Sequence, residues 1–298
     1  MTQNTTGLSA TAVGLIGLGA MGRGVAQNLL TKGFPVVGRD VNPEALKWLE
    51  SVGGSACQDA RLMARQCQII VSFVVNDKQT EDVLFGQNGL AAEMSPGSVF
   101  IACSTLPPKY VKELATRLAE KKIHLIDSPV TGGKVGAEKG SLTVMIAGEQ
   151  AIFERVKPVL ATFGSKLFFL GTEHGKGSQM KVINQLLCGV HIAAAAEALA
   201  MARENGLPME TTLEILKSGA ASSWMLGDRG PRMVTEKYDD VLSAVDIFVK
   251  DLGLVLDSAR QSTFAAPMAH AAFLQFIEAS GHGMGRLDDA AVITNYKK

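Results

Sequence analysis

Residues 12–22, AVGLIGLGAMG, decide the fold of the first half of the chain. They begin with a short apolar run that predicts a buried strand, and an amphipathic helical pattern follows at once through Lys32. Between strand and helix stands the spacing G-x-G-x-x-G, which is a weak signal alone but a meaningful one in this position. Gly17 permits a tight turn, Gly19 lets the backbone approach a pyrophosphate, and Gly22 lets the helix close on the strand. The segment therefore predicts a dinucleotide-binding turn.

The second predicted strand ends beside an acidic residue. Residues 34–38, FPVVG, are followed by Arg39 and Asp40, and Asp40 lies eighteen residues after Gly22. This is close to the offset at which a carboxylate receives the hydroxyls of an adenosine ribose. A carboxylate there repels a 2′-phosphate, so it predicts NAD as the cofactor. Arg39 could bind that phosphate, which keeps NADP as the alternative.

Apolar strands alternate with helical patterns over the rest of the first half. The predicted strands cover residues 68–75, 98–102, 123–127 and 142–148. Near-continuous apolar strands between helices predict a parallel sheet covered on both faces, an α/β doubly wound Rossmann domain. Ligands bind beyond the carboxyl ends of such strands, where Val74, Val75, Ser104 and Thr105 stand. The two hydroxyl groups could instead cap the helix that follows.

A glycine pair follows the strand that ends at Asp127. In residues 127–133, DSPVTGG, the sequence Thr131-Gly132-Gly133 can form a concave set of backbone N–H groups that holds an anion. A turn alone would also explain the glycines. Residues 134–142 are expected to continue as a long loop, and long loops in compact domains are more often functional than not.

The second half begins with residues 177–206, GSQMKVINQLLCGVHIAAAAEALAMARENG, which predict one long helix. Ser178 is a candidate N-cap, and the glycine and proline at its far end stop it. A length of roughly 40 Å at about 1.5 Å per residue exceeds what one small domain covers, and the helix looks too polar for a membrane span. One stripe at 3–4 spacing is apolar: Met180, Ile183, Leu187, Val190 and Ala194.

A polar stripe runs beside it, made of Lys181, Asn184, Gln185 and Cys188. It is either a solvated face or a catalytic lysine with amide groups that orient a substrate. Later segments show only helical patterns, over residues 209–218, 241–261 and 267–280. We therefore expect a dinucleotide-binding Rossmann domain over residues 12–173. An all-α substrate and oligomerisation domain over residues 174–298 then begins with the long helix.

Two further segments in this half have open interpretations. Ser222-Ser-Trp-Met225 could line a pocket, or its tryptophan could pack in a core. Lys250-Asp251 lies in an otherwise apolar helix and is either an ordinary surface pair or a functional one. The small-residue face at Ala193–Ala196 predicts helix–helix burial, across a dimer or tetramer interface or equally within the chain.

Composition and charge narrow the class of protein. The 298 residues carry 29 acidic and 29 basic side chains, with 47% apolar and 19% charged residues. Zero formal net charge gives no support for a nucleic-acid or acidic-membrane partner. Met1 to Thr11 is polar and without a basic segment, so we expect a loose tail and not a signal peptide. The cysteines have no metal spacing and are expected to be free thiols in the cytoplasm: Cys57, Cys67, Cys103 and Cys188.

Four ordered segments now carry a resemblance to a known family. They are GLIGLGAMG, DSPVTGGKVGAEKGSLTVMIAG, GSQMKVINQ and FVKDLGLVLD. They resemble the four motifs of the β-hydroxyacid dehydrogenases, which include 3-hydroxyisobutyrate dehydrogenase and tartronate semialdehyde reductase, and the match covers nearly the whole chain. Within the family, the long helix and the last motif look most similar to the NAD-dependent L-threonate dehydrogenase group. Most relatives have two asparagines where this chain has Asn184-Gln185, which counts against a simple 3-hydroxyisobutyrate assignment.

The resemblance implies a role for each matching position. Lys181 falls on the catalytic lysine and Asn184 on an amide that contacts substrate. The substrate-carboxylate motif falls on Thr131, Gly132 and Gly133, and Gln185 is an added candidate for substrate binding. Cofactor-binding positions fall on Gly17, Leu18, Gly19, Ala20, Met21, Gly22, Asp40, Val74, Val75, Thr105 and Lys250, and more weakly on Gln79.

The combined expectation is an NAD-dependent dehydrogenase of a small hydroxy acid, with its cleft between the domains. The polar groups near Lys181 favour a polyhydroxylated four-carbon acid such as L-threonate, oxidised beside the carboxylate to the 2-oxo acid. Burial should lower the pKa of this lysine from about 10.4 toward the range of a useful base. The alternatives are 3-hydroxyisobutyrate dehydrogenase, tartronate semialdehyde reductase, an imine reductase and a non-catalytic dinucleotide-binding protein. The last two would not need Lys181.

Overall fold

The computed structural model describes residues 11–297, so the expected loose tail lies outside the described residues apart from Thr11. The chain divides into two compact units, the first ending at Lys181 and the second beginning at Val182. One long helix carries the chain from the first unit into the second.

A six-stranded sheet forms the centre of the first unit, and all its strand pairs are parallel. The strands, in the spatial order β3-β2-β1-β4-β5-β6, are β1 (Val13–Ile16), β2 (Val36–Arg39), β3 (Ser55–Ala56), β4 (Ile69–Ser72), β5 (Val99–Ala102) and β6 (His124–Asp127). The helices between them are α1 (Ala20–Thr31), α2 (Pro43–Ser51), α3 (Ala60–Gln66), α4 (Asp77–Phe85) and α5 (Pro108–Glu120). This is the predicted doubly wound Rossmann topology.

The sheet is buried on both faces because its strands are apolar at successive positions. In β5, Val99 and Ile101 pack in one core while Phe100 packs in the other. Alternate side chains of a strand point to opposite faces, so each face receives its own set. One hydrophobic core covers each face of the sheet. Because the strands are parallel, their carboxyl ends lie along the same edge of the sheet.

A small second sheet follows, with the order β7-β8-β9. Its strands are β7 (Val130–Thr131), β8 (Leu142–Ile146) and β9 (Gly164–Phe169), with α6 (Gly133–Glu138) and α7 (Gln150–Phe163) between them. The expected long loop after residue 133 is therefore wrong, since a short helix fills it. The strand predicted at 142–148 also lies outside the six-stranded sheet, since it pairs antiparallel with β7 and parallel with β9. An apolar run predicts a buried strand but carries no information about its partner.

The second unit is helical throughout its described residues, apart from an isolated bridge at Ala244. After α8 (Lys176–Glu204) come α9 (Met209–Ser218), α10 (Trp224–Thr235), α11 (Val245–Gln261), α12 (Pro267–Ala279) and a 3₁₀ segment (Asp289–Tyr296). Helix α10 was not predicted from the sequence. Ser223 caps it by accepting a hydrogen bond from the Leu226 N–H at 3.0 Å, and Trp224 is its first residue. Ser223 is therefore the N-cap of this helix.

Helix α8 buries residues of its polar stripe and exposes residues of its apolar stripe, the reverse of what an amphipathic pattern suggests. Met180, Ile183 and Leu187 of the apolar stripe are 38%, 51% and 51% exposed, whereas Lys181 and Gln185 are 8% and 6% exposed. A solvated polar face is therefore excluded for these two side chains.

Length and composition alone would let α8 cross a membrane, contrary to the expectation that it is too polar. Its most apolar 18-residue window has a mean hydropathy of 1.5. Half of that window is buried inside the structure, as in a core helix.

Candidate active site

The turn after β1 has the geometry that a dinucleotide requires. Gly17 has a φ of +86°, and a Cβ atom on Gly22 would lie 1.8 Å from the Gly17 carbonyl oxygen. Gly19 caps α1 without any side-chain hydrogen bond, and a Cβ atom added there would meet nothing within 4 Å. No side chain caps the start of α1, and a helix N-terminus of this kind is a ready binding position for phosphate groups.

Asp40 is tied directly to this turn. Its Oδ2 accepts a hydrogen bond from the Leu18 N–H at 2.6 Å, and its Oδ1 accepts one from the Asn42 N–H at 2.8 Å. Arg39 donates from its guanidinium to the carbonyl oxygen of Gln58. The acid therefore lies at the glycine turn, where the ribose of a dinucleotide would be read, while the neighbouring arginine is held by a different loop.

The ends of β4 and β1 meet at the same place. A Cβ atom on Gly17 would lie 2.7 Å from the Phe73 carbonyl oxygen, so the glycine turn packs against the backbone that leads to Val74. Val75 is 45% exposed, and its N–H donates to Gln79 Oε1 at 2.8 Å. Thr105 is half-buried just beyond β5. These positions flank the carboxyl ends of central strands, as predicted.

The glycine pair after β7 adopts a backbone that only glycine enters easily. Gly132 and Gly133 have φ values of +126° and +62°, and Thr131 pairs with Thr143 across the small sheet. Successive N–H groups in such a turn can form a concave anion-binding surface. Asn28 of α1 donates to the Ala137 carbonyl oxygen at 2.7 Å, which fixes α6 against the helix of the dinucleotide turn.

Asp127, the last residue of β6, holds the beginning of α8. Its Oδ2 accepts hydrogen bonds from the N–H groups of Gly175 and Ser178 at 3.1 and 2.9 Å, and its Oδ1 accepts one from Ser178 Oγ at 2.7 Å. Burial raises the pKa of the Asp127 carboxyl, and these donors oppose that shift. Ser178 is therefore not the N-cap that the sequence suggested, because α8 already begins at Lys176. The Asp127 carboxylate accepts the hydrogen bonds that N–H groups at the start of α8 donate.

Lys181 follows Ser178 by three residues on the same helix. Its side chain is buried, which is unusual for a lysine and needs a structural or functional reason. The anchored first turn of α8 fixes the backbone from which this side chain projects. Asn184 and Gln185 come three and four residues later, on the same side of the helix.

A hydrogen-bonded network continues from these amides within the second unit. Asn184 Nδ2 donates to Gln185 Oε1 at 2.8 Å and to Cys188 Sγ at 3.3 Å, and Gln185 Nε2 donates to Asp251 Oδ2. Lys250 Nζ lies 2.6 Å from Asp251 Oδ1. The Lys250–Asp251 pair is thus real but not an ordinary surface pair, because the Asp251 side chain is 3% exposed.

The sequence did not reveal what the two buried acids, Asp127 of the first unit and Asp251 of the second, contact. Asp127 and Asp251 contact residues 51 and 66 positions away along the chain. The available signals were an acid at a strand end and an acid beside Lys250 in an apolar helix.

The candidate residues divide between the two units. The first holds the glycine turn, Asp40, Val74, Val75, Thr105, Thr131–Gly133 and Lys181, and the second holds Asn184, Gln185 and Lys250. Within residues 11–297, no group of three or more His, Cys, Asp or Glu side chains could hold a metal ion. The cysteines are free thiols, and burial raises the pKa of Cys67 to about 12.

Comparison with known families divides the chain in a similar way. Residues 12–171 match the family described as the NAD binding domain of 6-phosphogluconate dehydrogenase. Residues 175–296 match the one described as the NAD-binding domain of NADP-dependent 3-hydroxyisobutyrate dehydrogenase. Together they cover both units.

Individual relatives agree with these matches. The chain is 46% identical to an L-threonate dehydrogenase from Cupriavidus necator over 94% of each chain. It is 33% identical to a 2-(hydroxymethyl)glutarate dehydrogenase from Eubacterium barkeri, over 94% of this chain and 93% of that one. A crystal structure of 3-hydroxyisobutyrate dehydrogenase from Salmonella typhimurium is 42% identical, with a TM-score of 0.91, and covers 96% of this chain and 99% of that one.

The glycine turn with its acid, the buried lysine on α8 and these similarities lead to one assignment. The cofactor is a nicotinamide dinucleotide, NAD, with NADP as the alternative. The chain belongs to the β-hydroxyacid dehydrogenase family, and it is an NAD-dependent oxidoreductase that acts on the CH–OH group of a small hydroxy acid.

Proposed function

We propose that this chain oxidises a polyhydroxylated four-carbon acid such as L-threonate to its 2-oxo acid. The observation that carries the proposal is the burial of the polar side of α8, where Lys181 and Gln185 are 8% and 6% exposed. Buried amides that hydrogen-bond a substrate hydroxyl reject analogues without that hydroxyl. The 46% identity to a relative named L-threonate dehydrogenase supports the same substrate class.

Each candidate residue has a part in this reaction. The N–H groups of Thr131, Gly132 and Gly133 bind the substrate carboxylate, so one end of the molecule is fixed. Lys181 takes the proton of the reacting hydroxyl, and in the reverse direction it returns that proton to the carbonyl oxygen. Asn184 and Gln185 contact the part of the substrate that carries the remaining hydroxyls.

The cofactor is bound by the residues around the glycine turn. The backbone from Gly17 to Gly22, through Leu18, Ala20 and Met21, receives the phosphates at the start of α1. Asp40 accepts the ribose hydroxyls. Val74, Val75, Thr105 and Lys250 contact the remaining parts of the dinucleotide. NAD, when bound, would supply the acceptor for the hydride that leaves the substrate carbon.

A substrate comparison tests the proposal. The measurement is kcat/KM with NAD for L-threonate, D-erythronate, D-glycerate and 3-hydroxyisobutyrate, followed by the absorbance of the reduced cofactor. We expect L-threonate to give the highest value, because its four carbons carry several hydroxyls for the buried polar groups to bind. D-erythronate has the same groups, so it tests the configuration of the hydroxyls. A tenfold advantage of 3-hydroxyisobutyrate, about 1.4 kcal/mol of transition-state binding, would refute the argument from buried polar groups.

A second candidate is 3-hydroxyisobutyrate oxidation. It is favoured by the 42% identity to the Salmonella typhimurium structure that carries this name. The same comparison separates the two, because 3-hydroxyisobutyrate has an apolar branch where L-threonate has hydroxyls. A chain that binds NAD but turns over neither acid would match a non-catalytic dinucleotide-binding protein instead.

The organisation of the chain completes the proposal. We place the dinucleotide-binding domain at residues 12–173 and the all-α substrate and oligomerisation domain at residues 174–298. The exposed apolar stripe of α8, with Met180, Ile183 and Leu187, supports a homo-oligomer in which a second copy covers it. The balanced charge and free thiols fit a cytoplasmic enzyme.

A further inference from the structure

Three side chains of the second unit form a single hydrogen-bonded series that starts at a buried carboxylate. Asp251 of α11 accepts from Gln185 Nε2, and Gln185 Oε1 accepts from Asn184 Nδ2 at 2.8 Å. Asp251 is 2% exposed and lies 2.6 Å, Oδ1 to Nζ, from the Lys250 ammonium. The two side chains therefore form an ion pair within the second unit.

The chemistry of the first member dictates the direction of the whole series. An ionised carboxylate has acceptor sites only, so Gln185 must turn its NH₂ group toward Asp251. Its carbonyl oxygen then faces Asn184, which must in turn donate from its own NH₂ group. Both hydrogen bonds that the structure gives the Asn184 side chain are donated by Nδ2, to Gln185 and to Cys188.

The remaining polar atom of Asn184 is therefore its Oδ1 carbonyl oxygen, which is an acceptor. A substrate carboxylate has no hydrogen to offer such an atom, whereas a hydroxyl group does. Lys181 takes the proton of the reacting hydroxyl under the proposed function. Asn184 lies three residues further along α8, about 5–6 Å away between Cβ atoms. It is placed for a hydroxyl on the neighbouring carbon.

Close packing of α8 on α11 makes the series possible. A Cβ atom on Gly189 would lie 2.7 Å from Leu252 Cδ2, so a larger residue at this position would require the Leu252 side chain to shift. Leu252 is the residue after Asp251, and Gly189 lies one turn after Gln185. The approach brings the carboxylate within reach of the amide.

We propose that Asp251 is a positioning residue that selects substrate hydroxyls by fixing the direction of the Gln185 and Asn184 amides. Asn184 then acts as a hydrogen-bond acceptor for the hydroxyl next to the reacting carbon, and its contribution is to that hydroxyl and not to the carboxylate. This inference rests on the proposed function and adds the atom that reads the second hydroxyl.

The test compares two substrates that differ by this one hydroxyl. They are L-threonate and 2,4-dihydroxybutanoate of the same configuration at carbon 2, which lacks the hydroxyl on carbon 3. In the wild type we expect kcat/KM for L-threonate to exceed that of the deoxy acid by at least tenfold. In Asp251→Asn the amide series loses its imposed direction, so this ratio should fall toward one with little change for the deoxy acid.

Asp257→Asn is the matched control, because Asp257 lies on the same helix and its side chain is 58% exposed. It should keep the wild-type ratio. If Asp251→Asn does not fold, as judged by circular dichroism, Asp251→Ser replaces it, since a hydroxyl can both donate and accept and so imposes no direction on the Gln185 amide. The variant that folds should show the reduced ratio.

Two results would overturn the inference, and they are distinguishable. Equal losses for both substrates in the folded variant, with the ratio unchanged, would mean that Asp251 has only a structural part. If the wild type has the same kcat/KM for L-threonate and for the deoxy acid, Asn184 does not contact the hydroxyl on carbon 3. The proposed activity would still stand. A wild type inactive on L-threonate but active on 3-hydroxyisobutyrate would contradict the proposed substrate itself, and the inference with it.

Discussion

Lys181 is the residue on which the proposed chemistry depends. Replacing it with alanine should reduce kcat by about 10²-fold or more, the usual effect of losing a positioned acid–base group. The NAD dissociation constant, measured by fluorescence titration, should not change, since the proposed function gives this lysine no role in binding the dinucleotide.

Lys176→Ala is the control for this prediction. Lys176 lies on the same helix with a side chain that is 47% exposed, and its loss should leave turnover unchanged. Near-normal kcat in Lys181→Ala would show that this lysine is not the acid–base group.

Asp40 governs the choice of cofactor in our interpretation. Its carboxylate lies at the glycine turn through the Leu18 N–H, where it would repel a 2′-phosphate. We expect a higher kcat/KM with NAD than with NADP in the wild type, and a narrower difference in Asp40→Ala.

Arg39→Ala is the matched test of the neighbouring residue. Since the Arg39 guanidinium is bound to the Gln58 carbonyl, its loss should change the NAD to NADP ratio much less than the loss of Asp40. If the wild type has the same kcat/KM with NADP as with NAD, then Arg39 and not Asp40 determines the cofactor preference.

At the scale of a single element, the start of α8 depends on one buried carboxylate. Asp127→Ala leaves the N–H groups of Gly175 and Ser178 and the Ser178 hydroxyl without their acceptor. Hydrogen bonds to charged groups contribute about 1.5–3 kcal/mol each and do not simply add, so we expect a loss of about 3 kcal/mol in the free energy of unfolding.

The matched variant is Ser178→Ala, which removes the hydroxyl bond and keeps the backbone bond. Its free energy of unfolding, measured in urea, should fall by about half as much as that of Asp127→Ala. We also expect kcat to fall less in Ser178→Ala than in Asp127→Ala. Wild-type stability in Asp127→Ala would contradict this anchoring of the helix.

Elements defined by local pattern could be predicted from the sequence, and those defined by distant contacts could not. Helix α9 matches its predicted bounds, and the glycine turn adopts the predicted geometry, because both follow from neighbouring residues. The buried side of α8 was not predictable in this way. Its periodicity reveals two stripes, but only the packing of Asp251 against Gln185 decides which one is covered.

At the scale of the whole molecule, the exposed stripe of α8 predicts a specific oligomer interface. The double variant Ile183→Asp with Leu187→Asp puts two charges where a second copy should pack, and burying unpaired charges is strongly unfavourable. Light scattering on a sizing column should show a multimeric wild type and a monomeric double variant.

Leu62→Asp is the control for this experiment. Leu62 is a comparably exposed apolar side chain, at 48%, but it lies on α3 of the first unit. Its substitution should leave the mass unchanged. A monomeric wild type would contradict the interface.

The position of Asp127 has a consequence for how such an enzyme can diversify. This residue ends β6, lies four residues before Thr131, and fixes the first turn of α8 that leads to Lys181. Under the proposed function, Thr131 and Lys181 hold the substrate carboxylate and take the hydroxyl proton, so one strand end sets the location of both. Asn184 and Gln185 lie beyond the anchored turn and depend on α11. Under the proposed function, substitutions of these two amides can therefore change which substrate is accepted while Lys181 keeps its position.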